Sequence, residues 1–455
     1  MLSVTKKNTY ESNKDEVTQM IDSLAEKGQE ALKELSKKSQ QEINDIVHQM
    51  SMAAVDQHMH LAKLAYDETA ETARGIYEDK AIKNLYASEY IWNSIKDNKT
   101  VGIIGEDKQK GLTYVAEPIG VICGVTPTTN PTSTTIFKAM IAIKTGNPII
   151  FAFHPSAQQS SKHAAKVILE AAIKAGAPKD CIQWIEIPSI EATKQLMNHK
   201  DIALVLATGG SGMVKSAYST GKPALGVGPG NVPTYIEKTA HIKRAVNDII
   251  GSKTFDNGMI CASEQVMVVD KEVYSDVVKE FKLHHTYFVN KNELQQLEDA
   301  IMNEDKTAVK PDIVGKSAVD IAKLSGISVP EKTKLLVAEI DGIGKDYPLS
   351  REKLSPLLAM VTAKSTRHAL QICEDTLKFG GLGHTAVIHT EDSQLQQKFG
   401  LKMKACRVLV NTPSAVGGIG NMYNELIPSL TLGCGSYGRN SISHNVSAVD
   451  LLNIK

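Results

Sequence analysis

No proline precedes Pro118 in this 455-residue chain, so its opening quarter is free of the strongest helix breaker. An excess of either charge is also missing: 51 Lys and Arg face 51 Asp and Glu. With no basic stripe interleaved with aromatics, a nucleic-acid partner is excluded. The six cysteines, Cys123, Cys181, Cys261, Cys373, Cys406 and Cys434, contain no CxxC pair. In a long chain that argues against a disulfide framework and a zinc site, so no metal is expected. No stretch approaches the run of about 18–20 apolar residues that spans a bilayer, and the polar opening MLSVTKKNTYESNKDE lacks a secretory core. A cytoplasmic protein with no membrane partner is therefore expected. Its length allows two or three lobes.

From Asn13 to Asn98 the chain is rich in Ala, Leu, Glu and Lys. Val17, Met20, Ile21, Leu24 and Ala25, and later Ile46, Met50 and Ala53, recur at helical spacing, so this part reads as helices with one packed face. Thr100 to Gly105 and Leu112 to Ala116 are β-prone runs around the charged loop Glu106 to Lys110, and read as a hairpin. From Gly120, apolar strands alternate with amphipathic helices: GVICGVTP, PIIFAFHP, CIQWIEIP and DIALVLATGG are each followed by a helical segment. Such βα units predict an α/β fold with a parallel sheet and ligands at the strands' carboxyl ends, in the turns TPTTNP, FHPSA and TGGSG. A second α/β region is expected from about His241 to Lys404, with strands SEQVMVVD, KLLVAEI, LLAMVTA and TAVIHT. The terminal AVDLLNIK reads as an edge strand.

Cys261 lies in SKTFDNGMICASEQ, where Gly258 provides a turn and small or polar neighbours leave the sulfur accessible. A cysteine thiolate is the natural nucleophile for a carbonyl, although a lone cysteine is more often a packed small hydrophobe. Asn130 in VTPTTNPTST heads a helix, where its amide either donates to an oxyanion or caps the helix. Thr208 to Gly212 opens a helix whose N–H groups can face a phosphate. Gly226 to Asn231, GVGPGN, is a second bend that lets the chain pass close to a neighbour.

The strings AEPIGVICGVTPTTNPTST, SKTFDNGMICASEQ, EKLSP, GGLGHTA and PSLTLGCGS occur in the order of the aldehyde dehydrogenase superfamily. Over nearly its whole length the chain resembles the acylating branch, closest to the aldehyde dehydrogenase half of bifunctional aldehyde-alcohol dehydrogenases. The resemblance implies a Rossmann-type cofactor domain over 1–99 and 118–240, an α/β catalytic domain over 241–435, and an oligomerisation arm from 100–117 and 436–455. It makes Cys261 the nucleophile and Asn130 the oxyanion donor, together with the cysteine's own N–H. His384 in GLGHT matches a histidine typical of the acylating branch, with proton transfer and a structural role both open. Around the nicotinamide cofactor it places Thr126, Pro127, His154, Pro155, Ser156, Thr208, Gly209, Gly210, Gly228, and Glu352 on the ribose.

Two departures matter. Where hydrolytic members carry the glutamate of an ELGGK string, this chain reads GVGPG without a carboxylate, which favours a thiol as acyl acceptor. Where they carry the lysine of a KPSE string, it reads His154-Pro155-Ser156-Ala157, so NAD is expected but NADP stays open. The implied reaction interconverts a short aldehyde, coenzyme A and NAD with acyl-CoA and NADH through a cysteine thioester, as in fermentative reduction of acetyl-CoA to acetaldehyde. A homodimer or larger homo-oligomer is implied, either as a stand-alone enzyme or beside an alcohol dehydrogenase domain. The alternatives are a hydrolytic aldehyde dehydrogenase, another semialdehyde or acyl-CoA reductase or a reductase of an acyl phosphate on the same fold, and a scaffold or microcompartment cargo protein docking through its N-terminal helix.

Overall fold

The computed structural model of the chain describes residues 14–455; the segment MLSVTKKNTYESN, on which the expectation of no secretory leader partly rests, lies outside them. The proline-free opening forms helices Lys14–Leu35, Gln40–Asp56, His58–Glu68 and Tyr77–Leu85, the last continuing through a π turn to Ile95. Val17 and Ile21 are buried in a cluster with Val121, Cys123 and Ile150, and Met20 and Leu24 pack against it. This apolar stripe is satisfied by the protein's own core and is not left for docking on a scaffold. The second helix starts from a capping box in which Ser39 and Glu42 satisfy each other's backbone N–H, a device worth about 1 kcal/mol. Among the described residues, no helix is long and apolar enough to cross a membrane.

Three sheets follow. The hairpin strands Gly102–Asp107 and Leu112–Pro118 pair antiparallel, and the terminal strand Leu452–Ile454 adds to them. A five-stranded, all-parallel sheet runs in the order Ile182–Trp184, Ile149–Ala152, Val121–Val125, Ile202–Thr208, Ala224–Val227. The chain order reverses between Val121–Val125 and Ile202–Thr208. That switch point leaves a crevice at the carboxyl ends, beside Thr126 and Gly209.

The third sheet has seven parallel strands, ordered Thr286–Val289, Leu335–Glu339, Leu357–Ala363, Glu264–Asp270, Val232–Ile236, Gly383–His389, Ala405–Val410. Its four named expected strands are present, and three more join them. Val232–Ile236 lies inside this sheet, between Glu264–Asp270 and Gly383–His389, although the sequence groups residues up to 240 with the first. Pro233 hides it: a proline removes a ladder donor, and here it is accommodated by a register shift between Val232 and Pro233. Both faces are covered, with Tyr235, Val268, Ala386 and Leu370 in one core and Ile236, Val269, Ile249 and Phe281 in another. The parallel sheets thus read as near-continuous apolar runs.

Candidate active site

A cavity of about 690 Å³ lies between the carboxyl edge of the five-stranded sheet and the amino edge of the seven-stranded one. The first sheet supplies the turns after three strands. These carry Thr126, Pro127 and Asn130; His154, Pro155 and Ser156; and Thr208, Gly209 and Gly210. From the second sheet come the segments preceding three strands, which bring Gly228, Cys261 and Glu352 to the same wall. Twelve residues singled out in the sequence therefore line one cavity. His384, at the start of a fourth strand, lies behind Cys261.

Cys261 follows a tight turn, Phe255–Gly258, in which Asp256 and Asn257 adopt left-handed backbone (φ 45° and 51°) and Gly258 has φ 72°. A side chain at Gly258 would meet the Ser355 carbonyl at 2.8 Å and that of Lys253 at 3.0 Å, so only glycine fits. The GVGPGN bend passes close to Cys261: a Cβ on Gly230 would lie 2.1 Å from the Cys261 carbonyl oxygen. The cysteine is partly exposed on the cavity wall.

His384 Nε2 stands 3.3 Å from Cys261 Sγ, and its Nδ1 lies 3.0 Å from the Thr385 hydroxyl. Arg407, itself buried, fixes both neighbours: its Nε donates to Thr385 Oγ1 at 3.2 Å and its Nη2 to the His384 carbonyl at 2.8 Å. Burial pushes the Cys261 thiol up to about 12, with the Glu352 carboxylate adding to the effect and Arg407 opposing it. Burial, helped by the Arg407 charge, holds His384 well below its usual range. The resting pair is thus a neutral thiol beside a neutral imidazole.

Asn130 occupies the N-cap position of helix Pro131–Lys144, yet its side chain makes no capping bond. Its carbonyl Oδ1 accepts from Lys83 Nζ at 2.5 Å, and its Nδ2 donates to Thr129 Oγ1 at 3.1 Å. The capping alternative is therefore set aside. Glu352 is half-buried on the cavity wall; its Oε1 accepts the Gly230 N–H at 2.9 Å, and desolvation raises its carboxyl to about 7 against that bond and the nearby Lys253 and Lys353.

The cavity suits a dinucleotide. Gly210 caps helix Ser211–Tyr218 without a side-chain bond to its first N–H groups, and nothing lies within 4 Å of a Cβ built on Gly210 or Gly228. The buried hydroxyls of Thr126 and Thr128, both lining the cavity, have no protein partner. Open backbone at a helix start and unpaired hydroxyls at a switch point fit phosphate and ribose chemistry.

Sequence reasoning missed Lys83, Asp256, Thr385 and Arg407. Helix Tyr77–Leu85 buries Lys80, Lys83 and Asn84 while Ile82 is exposed, so an apolar-face count points the wrong way. The detectable signal is two lysines three residues apart in a short helix with few apolar residues.

The family model for the aldehyde dehydrogenases matches residues 4–421, and the chain belongs to that family. Within it, the chain is 56% identical over 412 residues to the aldehyde-alcohol dehydrogenase of Streptococcus pneumoniae, covering 89% of this chain and 46% of that protein. It spans about half the length of the curated relatives of this kind that it matches. A solved acetylating aldehyde dehydrogenase from Geobacillus thermoglucosidasius superposes with a TM-score of 0.95 at 46% identity, covering 98% of this chain and 97% of that one. Rhodopseudomonas palustris propionaldehyde dehydrogenase, solved with bound CoA and an acylated cysteine, gives a TM-score of 0.85 at 28% identity, with 96% of each chain covered.

Proposed function

We propose that the chain is a CoA-acylating aldehyde dehydrogenase that interconverts a short aldehyde, acetaldehyde above all, with its acyl-CoA. The observation that carries this reading is the composition of the cavity wall. Among the described residues Glu352 is its only carboxylate, and that group is engaged by the Gly230 N–H. No carboxylate stands in the bend Gly226 to Gly230, GVGPG, where hydrolytic members carry the glutamate that activates water. The acyl group is therefore left for a thiol. The relatives named acetylating, and the one solved with bound CoA and an acylated cysteine, support the same reading.

Cys261 is the nucleophile. With its proton on Nδ1 and donated to Thr385 Oγ1, His384 presents Nε2 as the acceptor of the thiol proton when sulfur attacks the carbonyl. The Asn130 amide and the Cys261 N–H receive the negative charge that develops on oxygen, a contact whose loss typically slows such a step by about 10²–10³. In the acyl-CoA direction the C–S bond to coenzyme A breaks and the departing thiolate takes the proton back from His384. Thioester is exchanged for thioester, so little free energy is lost and the enzyme runs both ways. A bound nicotinamide, NAD by preference, supplies the hydride chemistry. It would be held by Thr126, Pro127, His154, Pro155 and Ser156 on one side and by Thr208, Gly209, Gly210, Gly228 and Glu352 on the other.

In domain terms the five-stranded sheet and its helices serve the cofactor, the seven-stranded sheet carries the nucleophile, and the three-stranded sheet is an oligomerisation arm. Partnership with an alcohol dehydrogenase domain fits the curated relatives' names. The test is aldehyde-dependent NADH formation with and without CoA. Turnover should require CoA and yield acyl-CoA, and mass spectrometry should find the acyl group on the peptide bearing Cys261. Equal rates without CoA would overturn the proposal.

A further inference from the structure

Lys83 is buried, on a helix that contributes no nucleophile or nucleotide turn, and its ammonium reaches the cavity wall. It makes two bonds: Nζ donates to Asn130 Oδ1 at 2.5 Å and to Asp256 Oδ2. Lys80, one turn earlier, places its own Nζ 3.6 Å from the same Asp256 carboxylate. Asp256 in turn accepts the Ile76 N–H at 2.7 Å, while its own N–H is taken by Asp79 Oδ2 at 2.7 Å. One short helix, from its first residues to Lys83 in its last turn, thus clamps the left-handed turn five residues before Cys261 and holds the Asn130 side chain.

The chemistry of the Lys83–Asn130 contact has a direction. An ammonium carries donors only, so the amide end it meets must be the carbonyl oxygen, and the NH₂ end is turned the other way. A cation on the oxygen also polarises the amide and strengthens its N–H as a donor, since charge-assisted bonds are about twice as strong as neutral ones. Resting on the reading that Asn130 stabilises an oxyanion beside Cys261, we infer that Lys83 is a positioning residue that sets the orientation and donor strength of the Asn130 amide and ties it to the nucleophile's turn.

Three variants test this: Lys83→Met, which keeps the packing of the stem, Asn130→Ala, and the two combined. Acyl-CoA reduction by Lys83→Met should lose about 10- to 100-fold in kcat, with KM for acyl-CoA and NADH within about threefold of wild type. Lys83→Arg should recover part of the loss. In the Asn130→Ala background the second substitution should cost less than about twofold, because the group through which Lys83 acts is already gone. A kcat for Lys83→Met within about threefold of wild type, or losses that multiply in the combined variant, overturns the inference. Should Lys83→Met not fold, Lys83→Met with Asp256→Asn, which removes the stranded carboxylate with its cation, takes its place in the same cycle. A crystal structure of the variant decides the point independently of turnover: an Asn130 amide rotated from its native orientation supports the role, and an unchanged amide refutes it. If wild type itself reduces no acyl-CoA, the functional reading fails while that structural outcome still judges Lys83.

Discussion

The proposed nucleophile sits in surroundings that resist its ionisation. Cys261 is pushed up to about 12 by burial first and by the Glu352 carboxylate second, and Glu352 itself is raised to about 7. Below that pH Glu352 is protonated and exerts no charge on the sulfur; above it, a carboxylate opposes the thiolate. The rate of alkylation of Cys261 by iodoacetamide follows the thiolate fraction, so in the wild type it should rise less than tenfold per pH unit between pH 6 and 8. Glu352→Gln keeps an acceptor for the Gly230 N–H and removes the charge. It should match wild type near pH 6 and exceed it by about 3- to 10-fold at pH 9. Parallel rates across that range would show that the two groups do not sense each other. Cys261 and Asn130 stand out in their local sequence, with a packing and a capping alternative open, whereas His384 enters only with the motif order. The contact between His384 and Cys261 joins positions 123 apart in sequence, and no local pattern encodes it. Lys83 was illegible for a different reason: a buried lysine looks like a surface one until its partners are known.

Among the elements, the turn before Cys261 has a backbone that admits few sequences, with three successive residues at positive φ. Gly258 combines left-handed backbone with carbonyls at 2.8 Å and 3.0 Å from a would-be Cβ, whereas Gly400, on the exposed helix Ser393–Lys402, has nothing within 4 Å. Gly400→Ala should leave turnover unchanged and raise stability by about 0.5–1 kcal/mol, since alanine is the better helix former. Gly258→Ala should cost at least about 1–2 kcal/mol from backbone strain, and more from the carbonyl contacts, while displacing Cys261 and depressing acyl transfer. Thermal unfolding and acyl-CoA reduction measured on both variants check the pair; equal behaviour would remove the argument. The elements themselves were largely legible, because alternating apolar strands and amphipathic helices of the first lobe leave one reading. What escaped were strands whose local signals mislead: Val232–Ile236 contains Pro233, and Ala224–Val227, Thr286–Val289 and Ala405–Val410 are short edge strands or their like, bounded by turns. The register shift between Val232 and Pro233, which only the tertiary pairing reveals, is what lets Val232–Ile236 form despite its proline.

At the scale of the whole molecule, two parallel sheets meet edge to edge around the cavity, while the three-stranded sheet stands apart from both. Alternation along Leu112–Pro118 puts Leu112, Tyr114 and Ala116 on one face, and Ile454, opposite Ala116, joins them. Leu112, Tyr114 and Ile454 are exposed at 46%, 38% and 55%, and strand Gly102–Asp107 leaves a free edge beside them. An apolar sheet face with an open edge is what association between copies would cover. Light scattering should accordingly give a mass above that of the monomer. Tyr114→Glu with Ile454→Glu places two charges on that face without touching the cavity, so the mass should fall toward the monomer while Cys261 still accepts an acyl group from acyl-CoA. A wild type that is monomeric at micromolar concentration, or a doubly substituted protein that keeps its assembled mass, would take the arm out of the account. A loss of acylation without dissociation would instead place the sheet in support of the nucleophile's own lobe.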